Sequence, residues 1–272
     1  MNIFAFDIET VPDTEGGARI HGLSELGDEA VASAMLAQRR ARTGGSEFLP
    51  HYLHRVVVIS VAALMGDRFR VFSLGEAGDS EASVVQRFFD GLDRYRPQLV
   101  SWNGSGFDLP VLHYRALRHG VRAPCYWENG DNERQFRWNN YLNRFHEAHL
   151  DLMDVLSGYQ ARACAPLDEM AVLCGLPGKM GLSGDGVREA VAAGEFDAVR
   201  RYCEIDVLNT YLLFLRFELM RGHLDDGGYT AACERVRASL ATMDESHMAA
   251  FLDAWTGRPQ QQGDDPDHGT PA

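Results

Sequence analysis

The chain is short of lysine: of its 26 basic residues only Lys179 is a lysine, and the rest are arginine. Cysteine is sparse and unpatterned. Cys125, Cys164, Cys174, Cys203 and Cys233 are odd in number, scattered and without a C-x-x-C pair, which argues against a disulfide framework or a thiolate zinc site and fits reduced thiols in a cytosol. Long apolar runs are also missing. The longest, Val56 to Met65, is too short to cross a bilayer and is bounded by Arg55 and Asp67. No basic residue precedes the first apolar run, and Asp7 and Glu9 interrupt it, so no signal peptide is expected and the protein is expected to be soluble and cytoplasmic. A formal charge of −13 argues against a broad basic surface that coats nucleic acid, but not against a local grip on one strand end.

What is present begins with an apolar strand, MNIFAFDIET, read from near Asn2 to an end at two acids spaced two apart. In a strand that spacing puts Asp7 and Glu9 on one face. Two neighbouring carboxylates at the end of an apolar strand repel and lose hydration unless a cation lies between them. Oxygen-only ligands favour Mg²⁺ or Mn²⁺ over zinc.

With 272 residues, 45% of them hydrophobic, the chain can bury a full core, and one domain with trimmings is expected. TVPDTEGG reads as a turn. An insertion over about 20–50 carries a helix with Asp28 and Glu29 at its start, Arg39, Arg40 and Arg42 at its end and Thr43-Gly44-Gly45 as its stop. The basic end reads as a solvated helix end in preference to a phosphate contact. RVVVISVAALM is a buried strand, and RFRVFSL is its hairpin partner across Gly66-Asp67. Ser80 or Ser83 opens an amphipathic helix that Pro97 ends. QLVSWN is the next strand, followed by a glycine-rich turn and the helix DLPVLHYRALRHG, at whose start Asp108 is either an N-cap or a functional acid.

Over 124–146, aromatics alternate with arginines. They read as anchors of a long loop, with base stacking as the alternative. AHLDLMDVL is a short strand passing into a helix, with Asp151 and Asp154 as caps or exposed polar positions. Helices are expected over 167–173, 186–193 and 197–217, the last with Tyr202 and Asp206 four apart on one face. One further amphipathic helix is expected over 229–255, and 257–272, rich in Pro, Gly, Gln and Asp, is expected to be disordered.

Asp7, Glu9, Asp108, Tyr202 and Asp206 thus sit at element ends or on helical faces that an α/β sandwich can bring to one edge of a sheet. Four converging acids suit a pair of divalent cations that clamp the attacking and leaving oxygens of a phosphoryl displacement. Lys179, in the loop-like LPGKMG, has the compact ammonium suited to a phosphate contact or an electrostatic role, with codon bias as the plain alternative.

FDIET, N-G-S-G-F-D and Y-C-E-I-D resemble, in order, the three motifs of the DEDD superfamily of 3′-5′ exonucleases in its tyrosine-bearing (DEDDy) branch. The surrounding DLMDVLSGY, PLDEMAVLCGLPGKMG and YCEIDVLNTYLLFLR are similar to stand-alone bacterial proteins known as predicted 3′-5′ exonucleases related to the exonuclease domain of family B DNA polymerases. The resemblance covers roughly residues 1 to 220. Arg201 stands where the other branch of the superfamily has histidine.

The resemblance implies an α/β, ribonuclease-H-like fold: a mixed five-stranded sheet with helices on both faces. It implies two Mg²⁺ or Mn²⁺ ions, with Asp7, Glu9 and Asp206 on the first, Asp7 bridging to the second, and Asp108 holding the second through water. Tyr202 is implied to orient the nucleophilic water, Thr10, Asn103 and Phe107 to contact the terminal nucleotide, and Glu9 to read the 3′-hydroxyl. The expected activity is 3′-5′ hydrolysis of single-stranded DNA to nucleoside 5′-monophosphates, in a repair or replication setting with no partner identified. An exoribonuclease and a non-catalytic end-binding module are the alternatives. The expected layout is an exonuclease domain over 1–220, a C-terminal helical extension over 221–256 and the tail.

Overall fold

The computed structural model describes residues 2–181 and 184–257; the expected disordered tail, apart from Gly257, lies outside them. In chain order the elements are β1 (Asn2–Pro12), α1 (Thr14–His21), α2 (Asp28–Thr43), β2 (His54–Met65), β3 (Arg68–Leu74), α3 (Glu81–Tyr95), β4 (Gln98–Ser101), α4 (Asp108–His119), α5 (Pro124–Trp127), β5 (His149–Asp151), α6 (Leu152–Leu156), α7 (Leu167–Leu173), α8 (Val187–Ala192), α9 (Phe196–Met220), α10 (Asp226–Leu240) and α11 (Ser246–Thr256). The sheet order is β3-β2-β1-β4-β5. β3, β2 and β1 are antiparallel neighbours, and β4 and β5 run parallel to β1. This is the mixed five-stranded sheet of a ribonuclease-H-like fold.

The alternation of β1 decides which side chains go where. Ala5 shares a row with Ala62, Val71, Val100 and Leu150, and that row packs under α9, α10 and α11. Phe4, Phe6 and Ile8 point the other way into a second core with α3 and α4. Asp7 and Glu9, in phase with Ala5, therefore face α9. That helix is apolar or buried on every side from Tyr202 to Leu215, as a helix enclosed by the sheet and other helices must be.

Three local expectations change and a fourth holds. β1 does not end at its acids; it continues to Pro12 through a register shift between Glu9 and Thr10. The stretch read as a turn is a helix start, because Asp13 accepts from the Gly16 amide at 3.0 Å and caps α1. α3 is as expected: Ser80 caps it, and it stops just before Pro97, with Arg96 in the left-handed region at φ 43°. The single helix expected over 229–255 is two. Residues 241–245 break it, and the break folds Met248, Phe251 and Trp255 back into the core beneath α9; a continuous helix would carry them away from it. Among the described residues no helix is long and apolar enough to cross a membrane.

Candidate active site

Three elements supply the acids. Asp7 and Glu9 come from the middle of β1, Asp108 from the first residue of α4, and Asp206 from α9, one turn after Tyr202. Asp108 is not the N-cap of its helix, a place taken by Phe107. Its carboxylate instead accepts the Ile8 amide at 3.1 Å, which ties the start of α4 to the strand residue between the other two acids.

Electrostatics bind the four into one cluster. Burial, and then the charges of Asp108, Glu9 and Asp206, hold the Asp7 carboxyl well above the usual carboxylate range. Burial followed by Asp206 and Asp108 does the same to Glu9. Asp108 is pushed up to about 7, chiefly by burial, although two backbone amides lower it. Asp206 is pushed up to about 6 by burial, against the pull of Lys179 and a hydrogen bond from Tyr202. Burial and the neighbouring acids together raise the Tyr202 phenol above its ordinary range, so it keeps its proton. Carboxylates that repel one another, three of them buried and Asp7 half-buried, offer the oxygen donors that fit hard divalent cations. Asp7, Glu9 and the thiol of Cys203 offer ligand atoms within 4.8 Å of one another.

The family of predicted 3′-5′ exonucleases related to the exonuclease domain of PolB matches residues 46–255. This chain belongs to that family. The match takes in N-G-S-G-F-D, Y-C-E-I-D and both C-terminal helices, and begins after the FDIET strand. No curated protein matches the chain.

Within this member of the predicted exonuclease family, Lys179 is the cation whose charge lowers both Glu9 and Asp206. Its ammonium lies 5.9 Å from the centre of the Tyr202 ring. Its loop is built for that position. Gly178, at φ +70° and with a Cβ position that would meet Asp168 at 2.6 Å, exchanges hydrogen bonds of 3.2 and 3.0 Å with the Asn209 side chain on α9. Asp168 accepts the Lys179 amide at 2.6 Å.

Beside Glu9 lies a cleft of about 760 Å³, lined among others by Thr10, Phe48, His54, Phe107 and Arg188. Thr10 bonds His54 at 2.9 Å. Phe48 packs on Phe107 and His54 with ring centres 5.5 and 5.2 Å apart. The basic end of α2 is solvated as expected and does not line the cleft: Arg40 and Arg42 are exposed, Arg40 makes a surface pair with Glu47 at 2.6 Å, and Arg39 donates to the Phe48 carbonyl at 2.7 Å. Asn103 is not part of the cleft lining. It sits at φ 68° in the turn after β4, where its amide, with that of Ser105, is held by Asp151 at 2.9 and 2.8 Å.

Asp151 caps α6 as expected but is also the buried post on which this turn hangs. Over 124–146 the expectation of loop anchors holds for two of the aromatics. Phe136 and Tyr141 are buried anchors, with the Tyr141 hydroxyl on the Pro97 carbonyl at 2.7 Å, while Trp138 is 83% exposed.

Sequence reasoning missed Phe48, His54, Asn209, Asp151 and Cys203. For Cys203 and Asn209 a signal existed, since both lie within three residues of Asp206 on a helix already singled out. Nothing local marks Phe48, which reaches the cleft only because β1 and β2 pair across the insertion.

Proposed function

We propose that this chain hydrolyses phosphodiester bonds at the 3′ end of single-stranded DNA, releasing nucleoside 5′-monophosphates with the help of two Mg²⁺ or Mn²⁺ ions. The observation that carries the reading is the meeting of four acids from three elements, Asp7 half-buried and Glu9, Asp108 and Asp206 buried, all with raised proton affinity and with Lys179 acting on Glu9 and Asp206. Such a cluster is stable as anions only when positive charge is added. Asp7, Glu9 and Asp206 would hold the first ion, with Asp7 and Asp108 serving the second. Bound there, the ions supply the charge that stabilises the attacking and leaving oxygens of the displacement.

The remaining work falls to side chains. The Tyr202 hydroxyl, which keeps its proton, orients the attacking water without deprotonating it. Lys179, in reach of the same acids, offsets charge on the phosphate. Thr10 and Phe107 receive the terminal nucleotide in the cleft beside Glu9, which accepts from the 3′-hydroxyl, and Phe48 extends the apolar wall against which the base lies. Asn103 serves by holding the shape of the turn.

The test is a time course on matched 5′-labelled DNA and RNA oligonucleotides with Mg²⁺, Mn²⁺ or EDTA, run beside Asp206→Ala. The expected outcome is a metal-dependent ladder that shortens from the 3′ end, faster on DNA, and at least ~10³-fold slower in the variant. Faster shortening of RNA would reassign the substrate. Intact oligonucleotides throughout, from folded protein, would leave an end-binding module.

A further inference from the structure

A line of polar side chains behind Asp7 has no part in the mechanism so far. Asp7, Ser60 and Ser73 occupy one row on three adjacent strands: Asp7 pairs with Ser60, and Ser60 with Ser73. Directly opposed residues project to the same face, here the face covered by α9. The two serine hydroxyls are 2.8 Å apart. Ser73 donates to one oxygen of Glu204 at 2.6 Å, and the other oxygen of Glu204 meets His247 Nε2 of α11 at 2.7 Å. At the near end Ser60 is in hydrogen-bonding reach of the Cys203 thiol. That thiol donates at 3.5 Å to both the backbone oxygen and the carboxylate of Asp7.

Each hydroxyl and the thiol has one proton to give. Ser73 spends its own on Glu204 and Cys203 gives its own to Asp7, so the single Ser60 proton is shared between the Ser73 oxygen and the Cys203 sulfur. The line therefore ends on a carboxylate at each side, with Ser60 as the donor that joins its two halves. Glu204 stands between Tyr202 and Asp206 on the same helix, so this chain of contacts begins on the C-terminal helix and ends on the first acid of the site. Partners of metal-bound carboxylates orient them, and losing such a partner typically costs 10–100-fold in metal affinity or activity.

We propose that His247 and Glu204 are positioning residues, through which α11 sets the orientation of the Asp7 carboxylate by way of Ser73, Ser60 and Cys203. This rests on the reading of Asp7 as a metal ligand. The C-terminal helix is then a working part of the metal site and not an appendage.

The experiment uses the full chain and two readouts: calorimetric titration with Mn²⁺ in the absence of nucleic acid, and the Mn²⁺ concentration that half-saturates cleavage. Ser73→Ala and His247→Ala are expected to weaken Mn²⁺ about 10-fold in both, with melting temperature in EDTA close to the parent. Ser73→Thr, which keeps the hydroxyl, and His247→Gln, which keeps a donor, are expected to restore most of it. Parental Mn²⁺ affinity in both alanine variants would overturn the proposal, as would equal losses in the conservative pair. A parent that binds Mn²⁺ yet cleaves nothing would sink the nuclease reading alone, and the affinities would still decide this one. A parent that binds no Mn²⁺ sinks both.

Discussion

Two clusters of buried charge flank the first strand, and they are built on opposite plans. In one, Arg115 lies fully inside the protein between Asp13 at 2.6 Å and Glu81 at 2.5 Å, with Arg118 also on Asp13 and His119 on Glu81 at 2.7 Å. Burial alone would raise the Asp13 carboxyl, but hydrogen bonds from Arg115 and Gly16 and the two guanidinium charges bring it below its ordinary value. In the other, Asp7, Glu9, Asp108 and Asp206 are all raised, although Lys179 pulls Glu9 and Asp206 down. The first cluster is compensated from within and pins α1, α3 and α4 together. The second is left short of positive charge, and this difference supports the proposal that it takes up divalent cations.

Removing one partner from the compensated cluster is expected to have the largest effect on stability. Arg115→Ala strands two buried carboxylates and should destabilise the fold by ~3–5 kcal/mol, read by urea denaturation. The opposite sign is expected across the strand. Asp206→Asn relieves repulsion and should stabilise the metal-free protein by ~1–3 kcal/mol at pH 8 in EDTA, since each unit of raised proton affinity is worth about 1.4 kcal/mol. A loss of stability in that variant would mean that the acids are already compensated, and the contrast would fail.

Acidity should sharpen the contrast further. A carboxyl whose folded value is raised stabilises the fold below its unfolded value and loses that contribution as pH climbs through the folded value. For Asp108 that window runs from 3.8 to about 7, and for Asp206 from 3.8 to about 6. Without metal, the protein should therefore melt higher at pH 5.5 than at pH 8 by several degrees. Mn²⁺ should raise the melting temperature more at pH 8, where protons no longer compete. Lys179→Met, which removes the cation nearest Glu9 and Asp206, should widen the gap between the two pH values by a degree or two. Differential scanning fluorimetry in EDTA and in Mn²⁺ reads all of these.

The acids were legible because each rests on a local rule. Alternation puts Asp7 and Glu9 on one face, and a spacing of four aligns Tyr202 with Asp206. The β2–β3 register was legible too, since a two-residue turn at Gly66-Asp67 leaves one choice, and that choice pairs Ser60 with Ser73. The register of β1 on β2 was not. An insertion of two helices separates those strands, so no turn sets their alignment, and packing of the two cores against alternate faces does so instead. Everything that depends on that alignment stayed hidden, including the row from Asp7 to Ser73 and the placement of Phe48 over Phe107. The ion network of Arg115 was illegible for a similar reason: its members come from α1, α3 and α4 and meet only in three dimensions.

From Tyr202 to Leu215 every residue of α9 is buried, and this ties the life of the site to the life of the fold. Amide protons in such a stretch exchange with solvent only when the whole domain opens, so hydrogen exchange there should be the slowest in the chain. No local fraying can release Tyr202, Cys203, Glu204, Asp206 or Asn209 one at a time. On heating, activity should hold until global unfolding and vanish with it, without an earlier phase in which a folded protein has lost its site.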